Sequence, residues 1–188
     1  YYGQGYNNGN VTPYFCGICD PFQYATSIMT TSLRNNIQDY TQFQQDINNN
    51  TLPAVSFIKP DEINDGHPAS SSTSLFEVFA SNIVNEVISK PDVFKSTAIF
   101  ITFDEGGGYY DSGYIQPLTF FGDGPRIPMM LVSPYARRGY VDHTYDDHVS
   151  ILKFIERNWH LSPLSQRSLD NLPNPSAAKD DPYKPTNG

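Results

Sequence analysis

An α/β fold, with a largely parallel sheet flanked by helices, is what this chain of 188 residues predicts. Strand-sized apolar runs alternate with segments of helical period, and two of those runs show no polar alternation, as in strands buried on both faces. The sharpest motif stands at the end of one such run, where ligand sites of open α/β sheets lie. The length suits one domain or part of one. Residues 1–34 read as a loop-rich opening, 35–161 as the α/β core and 162–188 as an extended tail.

In chain order, Tyr1 to Asp20 is rich in Tyr, Gly and Asn and reads as loop, or as the tail of an element begun upstream. Ile37, Tyr40, Phe43 and Ile47 place an amphipathic helix over Asn35 to Asn50. Ala54 to Ile58, bounded by prolines, predicts a short buried strand. Ser74, with Glu77 three residues on, caps a helix whose apolar face is Leu75, Phe76, Phe79, Ile83, Val84, Val87 and Ile88, closed by Pro91. Thr97 to Phe103 and Ile127 to Val132 are the two buried strands. Val149, Leu152, Phe154 and Ile155 mark a last helix over His148 to Trp159. No internal repeat is visible.

The charge balance excludes one class of partner. A net charge of −8, with Arg137-Arg138 as an isolated basic pair, argues against binding nucleic acid, which rests on basic patches. No apolar run reaches transmembrane length, so the chain reads as soluble. Its low charge and its many Tyr, Asn, Ser and Thr residues suit a secreted or periplasmic protein. Cys16 and Cys19, the two cysteines, form Cys-Gly-Ile-Cys, which is compatible with a short disulfide, half a zinc site or a redox pair.

Three segments carry candidate chemistry. Thr102 to Gly108 puts Asp104 and Glu105 at the carboxyl end of a strand, followed by three glycines. Paired carboxylates there offer oxygen ligands to a divalent cation, and glycine lets a phosphate approach the backbone. Gly66-His67-Pro68 places a histidine in a loop between strand and helix. Val141 to Ser150 holds His143 and His148 with three aspartates. Asp147 suits a helix cap and Asp146 a helix dipole, which leaves His143 as the functional candidate.

Together with Leu52 to Pro60, Arg126-Ile127-Pro128-Met129 and Ser133-Pro134-Tyr135, these segments resemble the phosphoesterase family of non-haemolytic phospholipases C and related acid phosphatases. The resemblance implies an alkaline-phosphatase-like fold and metal-dependent hydrolysis of a phosphate ester through a covalent phospho-enzyme. It assigns Asp104 and Glu105 to one divalent metal ion of unknown identity. It assigns His67 to the phosphoryl group as hydrogen-bond donor or general acid, and His143, in His143-Thr144, to the late His-Thr of alkaline phosphatases.

Two departures stand out. Where many relatives follow the acidic segment with Tyr-Asp-His-Val, this chain has Asp111 followed by Ser112-Gly113-Tyr114. The family's Glu-Asn metal segment and its Ser or Thr nucleophile have no counterpart here. The chain therefore reads as a C-terminal part whose partner is the N-terminal half of the same enzyme, with a phospholipid or a small phosphomonoester as substrate. A non-catalytic secreted module on the same fold is the alternative, followed by a sulfatase and by a thiol redox protein.

Overall fold

The computed structural model describes residues 1–7, 9–111, 113 and 124–171. They fall into two units, each taken by itself: Tyr1–Tyr110 with Ile127–Ala136, and the described residues of 111–126 and 137–171.

The opening residues of the first unit, expected as loop, supply strands. β1 (Tyr2–Gly3) is followed by the antiparallel ribbon of β2 (Tyr6–Asn7) and β3 (Asn10–Val11). β1 is also the middle strand of a parallel sheet between β4 (Gln38–Asp39) and β5 (Ile58–Lys59), with Tyr2 in register with both Gln38 and Ile58. Strands of two residues are too short to carry a period, and long-range pairing defines them. Cys16 and Cys19 are joined in a disulfide, which removes both from the zinc-ligand reading. The short α1 (Thr26–Met29) follows.

α2 (Tyr40–Asn49) starts later than the periodicity suggested, because Asp39 caps it by accepting from Thr41 N at 2.9 Å; Asn50, at φ 58°, ends it. α3 (Thr73–Ile88) is capped by Ser72, two residues before the expected Ser74. Pro91 opens the next short helix, α4 (Pro91–Phe94), at a position where its missing N–H costs nothing. Phe43 and Ile47 of α2 and Phe79, Ile83 and Val87 of α3 enclose Tyr2 in the core. Phe43 and Ile47 are each 1% exposed, so each contributes about 2 kcal/mol by burial. Tyr40 stacks on Phe43 and meets Phe79 at a tilt, and burial pushes its hydroxyl up to about 12.

Two strand expectations are corrected. Val55 and Phe57 are exposed and only Ile58–Lys59 pairs, since Pro53 and Pro60 leave little room for a ladder. β6 (Ile99–Thr102) and β7 (Met129–Val132) pair antiparallel, with Ile99 opposite Val132 and Thr102 opposite Met129. A parallel return needs a crossover element, and the described residues of 103–128 form none. β6 is half-buried, whereas Met129, Met130 and Leu131 are 43%, 50% and 46% exposed.

In the second unit, α5 (His148–Asn158) begins as expected: Asp147 accepts from Ser150 N at 3.0 Å and Ser150 returns the contact. Its buried residue is polar, however. Glu156 is 5% exposed, close to Asp170 (3%) in the 3-10 turn Leu169–Asn171, while the expected core residue Phe154 is exposed. Arg126 and Asp111 form an ion pair at 3.2 Å. The Ser112 and Tyr114 departures and the tail from 172 onward lie outside the described residues.

Candidate functional site

Two loops of the first unit meet because aromatic side chains hold their bases. Phe103, which ends the β6 run, packs on Phe76 of α3 with ring centroids 4.7 Å apart. Gly66 is buried against the same pair: a Cβ there would lie 3.1 Å from Phe76 Cβ and 3.8 Å from Phe103 Cε1. Tyr109 Oη donates to Gly66 O at 3.4 Å and ties the glycine-rich loop to the histidine loop. The result brings His67 beside Glu105, the sequence neighbour of Asp104.

Within its loop, His67 is fixed by its backbone and its ring. Asp65 Oδ1 accepts from His67 N at 2.8 Å, and His67 O accepts from Ser70 N and Ser71 N. Ala69 N donates to His67 Nδ1 at 3.1 Å, so Nδ1 is the acceptor nitrogen and Nε2 carries the proton. Nε2 lies 3.8 Å from Glu105 Oε1, and the imidazole is 47% exposed. The ring thus presents an N–H outward from a held position.

Asp104 and Glu105 leave the end of β6 with their carboxylates in the open, 68% and 59% exposed. Glu105 Oε2 accepts from Gly107 N at 2.8 Å, a bond made within the turn. Asp104 Oδ2 accepts from Lys59 Nζ at 3.1 Å. Partial burial opposes ionisation of Asp104, but the Lys59 hydrogen bond and charge, with backbone N–H groups, outweigh it and hold the carboxyl below its ordinary range. Asp104 is therefore a carboxylate at neutral pH.

The sequence reasoning missed Lys59, Asp65 and Tyr109. Lys59 was within reach, because it stands at the carboxyl end of the Phe57-Ile58-Lys59-Pro60 segment, where side chains face the site. Asp65 and Tyr109 act by hydrogen bonds that no local pattern announces.

His143 belongs to the second unit. It is exposed, beside Asp142, whose carboxylate accepts from Thr144 N at 2.9 Å and is held low by the Thr144 bonds. Asp147 is the cap of α5, as its position suggested.

The carboxylates of Asp104 and Glu105 have the donor chemistry of a hard divalent cation. Among the described residues, however, no group of three or more His, Cys, Asp or Glu side chains gathers as a metal cage needs. The pair has the chemistry of part of a metal shell, not of a whole one.

Short parallel strands and a helical core define an α/β protein, with Asp104 and Glu105 exposed at the end of β6. Residues 1–162 match the Phosphoesterase family, and the chain belongs to that family. It is similar to the non-hemolytic phospholipase C of Burkholderia pseudomallei, 34% identical over 143 residues that cover 62% of this chain and 20% of that protein. It is also similar to the acid phosphatase of Aspergillus fumigatus, 27% identical over 167 residues, covering 87% of this chain and 35% of that protein. Phospholipase C B of Mycobacterium tuberculosis is 30% identical over 140 residues, covering 60% and 26%. The chain spans between about a fifth and about a third of the length of these relatives.

Proposed function

We propose that this chain supplies part of the active site of a metal-dependent phosphoesterase with an alkaline-phosphatase-like fold. The chain is the C-terminal part, and the nucleophile and remaining ligands lie on the N-terminal half of the same enzyme. The observation that carries the reading is the approach of His67 to Glu105, the sequence neighbour of Asp104, at the end of β6, in a chain of the phosphoesterase family. A divalent ion held by these carboxylates would offset charge on the phosphoryl oxygens and acidify the nucleophile.

His67 offers its Nε2 proton toward the same space, where it donates to a phosphoryl oxygen or protonates the leaving alkoxide. The nucleophile attacks phosphorus, the ester P–O bond breaks, and water then releases phosphate from the phospho-enzyme. His143, exposed beside Asp142, is proposed as a catalytic histidine in the role of the late His-Thr of alkaline phosphatases, on its position in His143-Thr144. The names of the relatives favour a phospholipid or a small phosphomonoester as substrate. The disulfide supports a secreted or periplasmic location, since such bonds persist in oxidising compartments.

The test uses the enzyme as isolated, with p-nitrophenyl phosphate and p-nitrophenyl phosphorylcholine as substrates. Asp104→Ala should lose bound divalent metal and at least about 100-fold in turnover. His67→Ala should lose about 100-fold in kcat and keep its metal. Full turnover in both variants would refute the reading. A metal-loaded wild-type enzyme inert toward both esters would instead favour a non-catalytic secreted module.

A further inference from the structure

Among the described residues, Lys59 is a permanent cation in contact with a proposed ligand, and its backbone is held in a sheet. Its backbone ends β5 in register with Gly3, and its carbonyl accepts from Gln4 N at 2.9 Å. The side chain reaches across to the end of β6, where Nζ meets Asp104 Oδ2 at 3.1 Å. Lys59 is 22% exposed and Asp104 68%, so the ammonium is the sheltered partner and the carboxylate the open one. A divalent cation approaching Asp104 from solvent meets a carboxylate already partnered by a positive charge.

We propose that Lys59 is the resident counter-ion of Asp104 and competes with a divalent cation for that carboxylate. The proposal rests on the reading of Asp104 as a metal ligand. Its physical basis is charge: the incoming ion takes the carboxylate from Nζ and repels the ammonium out of contact. In return, the ammonium holds the Asp104 carboxylate in place before the ion arrives. A lysine that merely oriented Asp104 for the metal would have the opposite effect on affinity, which makes the two roles separable.

Mn2+ affinity, read from water-proton relaxation on the enzyme as isolated, is the deciding measurement. Lys59→Met should bind Mn2+ about tenfold more tightly than wild type, from removal of the competitor and of its like charge. Lys59→Arg, which keeps the cation, should stay within about twofold, and Asp104→Ala should bind more weakly. Equal or weaker binding by Lys59→Met, with Asp104→Ala weakened, overturns the role of Lys59 and leaves the metal site standing. Wild-type affinity in Asp104→Ala removes the metal reading and this proposal together.

A second readout needs no substitution. In the wild-type chain, saturation with Ca2+ should release Nζ and raise the rate at which Lys59 is acetylated by acetic anhydride, followed by peptide mass spectrometry. A rate unchanged by Ca2+, at concentrations where binding is seen, overturns the proposal even if the Lys59 variants fail to fold.

Discussion

Gly66 carries more of the site than its size suggests. Its φ of +80° is one that L side chains rarely adopt, and a Cβ would press on Phe76 at 3.1 Å. Backbone strain at such a position costs about 1–2 kcal/mol, and the contact adds displacement of the loop that holds His67. Gly66→Ala should therefore lower turnover by about 10- to 100-fold while metal content is kept, because small misplacements of a positioned group are costly. Gly139→Ala is the control, since its φ of +63° brings the same backbone strain with nothing within 4 Å of the added methyl. Equal turnover in the two variants would show that the Phe76 contact does not position His67.

Elements were legible in proportion to their length and to how far local signals decide them. α5 could be placed from sequence because Asp147 and the following apolar period are local, and the cap formed as expected. α3 was found too, but its cap shifted to Ser72, since any of several Ser and Thr residues there can accept from the first turn. The direction of β6 and β7 was not legible: an unbroken apolar run reports burial, not the sense of pairing, and here it proved antiparallel with β7 exposed. Of the site, Asp104, Glu105 and His67 could be found as motifs, whereas Lys59 acts only through a contact 45 positions away in sequence.

The buried face of α5 is an element whose stability should depend on pH in an unusual sense. Burial and then the nearby Asp170 charge raise the Glu156 carboxyl, and Asp170 also hydrogen-bonds to it; Lys153 partly offsets these effects. Ser168 and the Leu164 N–H hold Asp170 on the other side, so Asp170 stays ionised. A carboxyl raised in the folded state binds its proton more tightly there than in the unfolded chain. Stability is then highest below the unfolded value near 4.5 and declines as pH rises through the raised folded value. Glu156→Gln, which keeps a donor for Asp170 without the charge, should raise the melting temperature at pH 7 and flatten its decline from pH 4 to 7. A lower melting temperature at pH 7 would show that the charged form of Glu156 is stabilising.

For the whole molecule, exposed apolar surface opposes net charge. β7 offers Met129, Met130 and Leu131 to solvent, and α3 adds Leu75 and Val78, at 41% and 57% exposure. Exposed apolar side chains drive association where they adjoin, while a net charge of −8 keeps copies apart. Salt acts on one of these effects only: at 1 M the screening length falls to about 3 Å, so repulsion collapses and the apolar attraction remains. The isolated chain should sediment as a monomer at low ionic strength and as larger species at 1 M NaCl. Met130→Lys, at a half-exposed position, should suppress the larger species without lowering the melting temperature, because it places a charge on the exposed strand and Met130 is not part of the buried core. If the mass distribution of wild type is the same at both salt concentrations, the exposed residues are too dispersed to act as one patch. If Met130→Lys associates as wild type does, the adhesive surface lies outside β7.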